Sequence, residues 1–154
     1  AVYLRLCVSL FLRRTTDELK SGCKVDEKTV ALHFDALFRD CGQETVYLLL
    51  LDERDRLTHR RKLSEGSLDT SGVAHRQILE TAVRTGARSV CLLHNHPGAD
   101  PTPSLSDEKI TKAAALALKT AGIRFFGHFI FTDGAYFLLQ MQDESLIKTF
   151  KEIR

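Results

Sequence analysis

Ser89-Val90-Cys91-Leu92-Leu93-His94-Asn95-His96 is an apolar run that ends in two histidines. Read as a strand, it sends successive side chains to opposite faces, so the imidazoles at i and i+2 leave its end on the same side. That is a chelating geometry. Eleven residues beyond His96 stands Asp107, at the head of a helix-like segment, with Ser104 three residues before it. All three prolines of the chain, Pro97, Pro101 and Pro103, lie between. A loop with so little backbone freedom holds its flanks in fixed relation.

Two nitrogens and one carboxylate oxygen around a divalent ion leave a fourth tetrahedral position open, as in a catalytic zinc site. A water placed there becomes acidic near neutral pH, provided a carboxylate that is not a ligand can take its proton. Two plainer readings stand beside this one. An isolated H-x-H is usually a pair of hydrogen-bonded strand-end histidines. S-x-x-D before an apolar helix is also a capping box, for which Ser106 is a competing N-cap. The serine can serve both duties.

Working outward, Ile78, Leu79, Ala82 and Val83 give Ala74 to Gly86 an apolar face, and Gly86 is a natural stop. This predicts a crossover helix feeding the histidine strand. Before it come a small-residue loop, Ser64 to Val73, an exposed antiparallel strand, Leu57 to Leu63, and a charged turn, Glu53 to Arg56. Glu44 to Asp52 is a nearly continuous apolar strand of the buried type. Val30, Ala31, Phe34, Leu37 and Phe38 recur at helical spacing within Asp26 to Phe38, and Thr15 to Val25 reads as a linker.

Downstream, Asp107 to Ala121 is helical and stops at Gly122; Ile123 to Phe131 is a strand, and Thr132-Asp133-Gly134 is a hairpin turn. Ala135 to Gln140 then pairs back, and Glu144 to Arg154 is expected to close as a helix. His128, in the middle of an apolar strand, reads as a satisfied core histidine rather than a fourth ligand. The expected architecture is a single α/β domain over residues 26–154, a central mixed sheet flanked by helices. The segment 1–25 is expected to be the remnant of a truncated upstream region.

A chain of 154 residues, 44% hydrophobic and 27% charged, has the composition of one ordinary globular domain. A net charge of +2 gives no argument for a nucleic-acid partner. Cys7, Cys23, Cys41 and Cys91 form no C-x-x-C pair and read as free thiols of a cytoplasmic protein. No apolar run is long enough for a membrane span. The segment Ala1 to Arg14 carries its charges after its apolar run, which argues against a signal peptide and leaves an apolar helix that could make a homodimer contact.

The string His94-x-His96, seven residues, Ser104, two residues, Asp107 resembles the JAMM signature of the JAB/MPN metallopeptidases. The fuller text HNHPGADPTPSLSD resembles the RadC branch, and the likeness reaches Glu44 upstream and His128-Phe129-Ile130 downstream. The resemblance implies a cytidine-deaminase-like α/β architecture and a Zn²⁺-dependent hydrolase. It makes His94, His96 and Asp107 the metal ligands, Glu44 the general acid/base and Ser104 the oxyanion donor. Read without it, Glu44 is a rim carboxylate at the head of a buried strand; Asp52, Glu53 and Glu65 are the fallback bases. Arg76 matches an arginine of the RadC-like pattern and reads either as a substrate contact or as half of a surface salt bridge. Two positions depart from the pattern. Gly98-Ala99 stands where Ser-Gly is usual, and Gly127 where an Asp commonly precedes the downstream histidine.

The implied reaction is hydrolysis of an amide in a peptide or protein substrate. A nucleobase deaminase would need H-x-E and a later P-C-x-x-C, and neither is present. The letters His94-Asn95-His96 are not an HNH nuclease either, whose active-site residues come from separated positions. The rival from another class is a catalytically lapsed, DNA-repair-associated or protein-interaction module that keeps the same fold.

Overall fold

A computed structural model describes residues 21–39, 41–65, 73–98, 100 and 102–153. The predicted apolar N-terminal helix with its dimer contact, Cys7, and most of the small-residue loop (66–72) lie outside the described residues.

Helix α1 (Glu27–Phe38) is followed by strands β1 (Thr45–Leu51) and β2 (Leu57–Glu65), then helix α2 (Val73–Thr85), strand β3 (Ser89–Asn95) and helix α3 (Leu105–Thr120). Strands β4 (Arg124–Thr132), β5 (Ala135–Gln142) and β6 (Ser145–Glu152) complete it. One mixed sheet runs in the order β2-β1-β3-β4-β5-β6. Among the described residues, only β3 and β4 pair in parallel, and α3 makes the long crossover that parallel neighbours require. The expected crossover helix α2 likewise joins β2 to β3, but β1 lies between those two strands.

The sheet is buried on both faces, which is why β1 and β3 read as unbroken apolar runs. Leu49, Leu51, Cys91, Leu93, Phe129 and Phe131 pack against Val30, Phe34 and Phe38 of α1. The alternate residues Val46, Leu48, Leu50, Val90 and Leu92 pack against Ile78 and Ala82 of α2 and Ala114 and Leu118 of α3. Truncating one of these leucines, such as Leu92, costs about 2–5 kcal/mol through lost burial and the cavity left behind. His94 continues the even-numbered series, so it emerges on the α2/α3 side at the carboxyl end of β3.

The C-terminal expectation is corrected. Ser145–Glu152 is a strand paired antiparallel with β5, from Gln142↔Ser145 to Ala135↔Glu152, not a helix. Its two-residue turn places Asp143 and Glu144 at φ 46° and 68°, the left-handed pair that a tight hairpin demands. Lys151 and Tyr136 both donate to Glu27 Oε1 at 2.6 Å, tying this hairpin to α1. Cys23, Cys41 and Cys91 are free thiols. Among the described residues, no helix is long and apolar enough to cross a membrane.

Candidate metal centre

β3 delivers both histidines from one strand end. The backbone N–H of His96 donates to the Phe131 carbonyl at 2.8 Å, extending the parallel pairing with β4 by one residue. Pro97 and Gly98 then turn the chain, with Gly98 at φ 63°, the left-handed region that favours glycine. Asp100 grips Thr102 through Oδ1, from its N–H at 2.9 Å and its hydroxyl at 2.6 Å. That fixes the Asp100 carbonyl, which lies 3.1 Å from His96 Nδ1.

Asp107 arrives from α3, which begins at Leu105 rather than at Asp107, with Ser104 and not Ser106 as its N-cap. The capping box is reciprocal: Asp107 N–H donates to Ser104 Oγ at 3.1 Å, while Ser104 N–H and Oγ donate to Asp107 Oδ2 at 2.8 and 2.6 Å. The plainer reading of S-x-x-D, a capping box, is therefore present in the structure. It leaves Asp107 Oδ1 facing His94 Nε2 at 3.3 Å, with Oδ2 3.6 Å from His96 Nε2. The two histidine Nε2 atoms are 2.9 Å apart. Donors bound tetrahedrally at ~2.0–2.1 Å from one ion lie about 3.3 Å from one another, so these separations fit an ion among them. His94, His96 and Asp107 could hold a metal.

Hydrogen-bond partners decide where the protons sit. The Asp100 carbonyl can only accept, so His96 carries its proton on Nδ1 and turns a lone pair at Nε2 toward the site. Thr111 Oγ1 donates to the Asp107 carbonyl at 2.5 Å and so accepts from His128 Nδ1 at 2.7 Å. That leaves His128 Nε2 to accept from His94 Nδ1, also at 2.7 Å, and His94 Nε2 bare. Two nitrogen lone pairs and a carboxylate oxygen thus converge, an arrangement that a cation stabilises. Such a back-bonded imidazole is how metal-binding histidines are oriented.

The electrostatics agree. Burial pulls His94 down to about 4 against the Asp107 charge, so it is neutral at pH 7. Burial also holds His128 well below its ordinary value. His96 is raised, first by its contact with the Asp107 carboxylate and also by the charges of Asp107 and Glu44. Burial alone would raise Asp107, but the neighbouring His96, the His94 charge and the Ser104 donors overrule it and hold the carboxyl well below the usual range.

Glu44 is partly buried immediately before β1. Val46 pairs with His94, and Glu44, two residues before Val46 on the same face, lies close enough to His96 for its charge to act on that imidazole. Asp52 and Glu53 follow the opposite end of β1, more than ~20 Å away along the strand. Glu65 pairs instead with Lys62 at 2.7 Å on the surface. Of the candidate bases, Glu44 is the one brought to the histidines. Arg76 is exposed and paired with Glu80 at 3.1 Å, the salt bridge of its two readings. Gly127 has a packing reason: at φ 156°, a Cβ there would meet Leu138 Cδ1 at 2.8 Å.

Sequence reading passed over His128 and Thr111 as parts of the site. His128 is a satisfied core histidine, as expected, but its partner is a donor histidine. The available signal was parity: His128 sits on the strand beside β3, and Thr111 one helical turn after Asp107.

Comparison with known proteins gives the chain a family. A family model described as a RadC-like JAB domain matches residues 25–145. A UPF0758 protein of Pelobacter propionicus is 43% identical over 104 residues, 68% of this chain and 45% of the relative. One from Syntrophotalea carbinolica is 38% identical over 137 residues, 88% of this chain and 60% of the relative. One from Vibrio parahaemolyticus is 31% identical over 134 residues, 86% and 60%. The chain spans about half the length of the curated relatives it matches.

Proposed function

The chain belongs to the RadC-like JAB domain family, and from that premise we propose that it is a zinc-dependent metallopeptidase that hydrolyses a peptide or isopeptide bond. The observation that carries this reading is the convergence of the His94 and His96 lone pairs on Asp107, with Glu44 at the same strand end. A divalent ion held by those three side chains supplies Lewis acidity, which acidifies a water and polarises a carbonyl.

The remaining work falls to this chain's own groups. Glu44 removes the proton of the attacking water and delivers it to the leaving nitrogen. Ser104, exposed at the mouth of the site, turns its hydroxyl from Asp107 Oδ2 to the developing oxyanion. The Ser104 backbone N–H stays on Oδ2, so the cap of α3 survives that rotation. His128 and Thr111 hold His94 in register throughout.

The test is cleavage of a mixed library of unstructured peptides, read by mass spectrometry, with the zinc-loaded chain. Cleavages that vanish in Glu44→Gln and on chelation support the proposal. Cleavages that persist unchanged in Glu44→Gln contradict it.

One observation favours the interaction-module reading: the edge strand β2 exposes His59, Arg60, Arg61 and Lys62 in a row. Basic side chains on an edge strand also block unwanted sheet pairing, a duty that accounts for them without a partner. Steeply salt-dependent binding of duplex DNA, lost in Arg60→Ala/Arg61→Ala, would favour the module.

A further inference from the structure

Asn95 stands between the two donor histidines and is 3% exposed. Its side chain reaches across the sheet rather than toward the site. Oδ1 accepts from the Thr45 N–H at 2.8 Å, and Nδ2 donates to the Gln43 carbonyl at 3.2 Å. The residue between those two backbone partners is Glu44.

The consequence is geometric. The Gln43 carbonyl belongs to the peptide plane before Glu44 and the Thr45 N–H to the plane after it. The rotations of those two rigid planes about the Cα of Glu44 are its φ and ψ. One amide that grips both planes therefore fixes the direction in which the Glu44 side chain leaves the backbone. The paired residues of β1 and β3 end at Val46↔His94; the Asn95 side chain supplies the next link, where the strands would otherwise part.

We propose that Asn95 is a positioning residue for Glu44, coupling the direction of that carboxylate to the backbone that carries His94 and His96. The inference rests on the reading of Glu44 as the acid/base. An amide is the group that can do this, since it accepts and donates at once. Its removal leaves the buried Thr45 N–H without that partner and frees the head of β1. Displacements of a catalytic group by an ångström or less are enough to slow chemistry steeply.

The test uses the Co²⁺-loaded chain, whose visible ligand-field bands change with pH as groups beside the ion exchange protons. Glu44→Gln is expected to move the midpoint of that change. Asn95→Ala, holding about one Co²⁺ per chain and melting cooperatively, is expected to move it in the same direction by roughly half that shift or more. In a Glu44→Gln background it is expected to add nothing, because two substitutions acting through one group are not additive. Asn95→Leu keeps the shape of the amide, makes neither bond and adds no charge. It should give a shift like that of Asn95→Ala, and it is the variant to read if Asn95→Ala does not fold. A parental midpoint in the Asn95 variants, with Co²⁺ bound and Glu44→Gln shifted, overturns the inference alone. A parent that takes up no Co²⁺, or a Glu44→Gln midpoint that does not move, overturns the assignment of Glu44 itself.

Discussion

His94 Nδ1 lies 2.7 Å from His128 Nε2, and both rings are fully buried. The bond makes His94 a donor on its inner side and leaves its outer nitrogen to the site. His128 in turn is held by Thr111, which is anchored on the Asp107 carbonyl. Two of the three side chains that could hold a metal are therefore tied together behind the site by one chain of hydrogen bonds.

Breaking that chain should weaken metal binding without touching a ligand. His128→Ala is expected to lower zinc affinity by about 10–100-fold, measured by competition with a chromophoric chelator. His128→Gln can accept from His94 and donate to Thr111, and should recover part of the loss. Unchanged affinity in His128→Ala would show that the contact does not orient the ligand.

The proton inventory predicts how affinity follows pH. Asp107 is already ionised and His94 already neutral well below pH 7. His96, with its raised value, is the donor that must release a proton. Between about pH 5 and 6.5, log affinity should rise with a slope of about one per pH unit. A slope of two would mean that His94 also titrates there.

Acid should also destabilise the metal-free chain. His94 has a folded value of about 4 against 6.5 unfolded. Between those values the unfolded state binds a proton that the folded state refuses, so stability falls as pH drops from about 6.5 toward 4. His128 acts in the same direction and His96 opposes. Urea midpoints at pH 7 and 5 check the sum, which should favour pH 7; a higher midpoint at pH 5 would reverse the sign.

Ser104 carries separable duties. Ser104→Ala removes the hydroxyl that caps Asp107 N–H and should cost about 1 kcal/mol, or ~2–4 °C in melting temperature. Zinc stoichiometry should be retained, because the three donors remain. Peptide cleavage should fall by about 10²–10³-fold. Cleavage at the parental rate would leave the serine with its capping role only.

Most of the fold was legible because the strands buried on both faces announce themselves. Leu48 to Leu51 and Val90 to Leu93 have no polar interruption, and the helices carry apolar faces at helical spacing. The last strand was not legible. Leu146, Ile147, Phe150 and Ile153 mimic helical spacing, and Asp143-Glu144 lacks the Asn-Gly or Asp-Gly signature of a tight hairpin. Pairing with β5 settles that segment, and such pairing is a tertiary fact. In the site, the candidate donor residue types were legible from spacing. The tautomers and the His128–Thr111 support were not, since both depend on which strand lies beside β3.

The proposed function requires His94, His96 and Asp107 to hold a metal while Glu44 stands outside the ligand set. Elemental mass spectrometry of the zinc-equilibrated chain tests it most directly, beside His96→Ala and Glu44→Gln. About one zinc per chain is expected in the parent and in Glu44→Gln, with a large loss in His96→Ala. A parent that holds no metal after zinc is offered at neutral pH would contradict it.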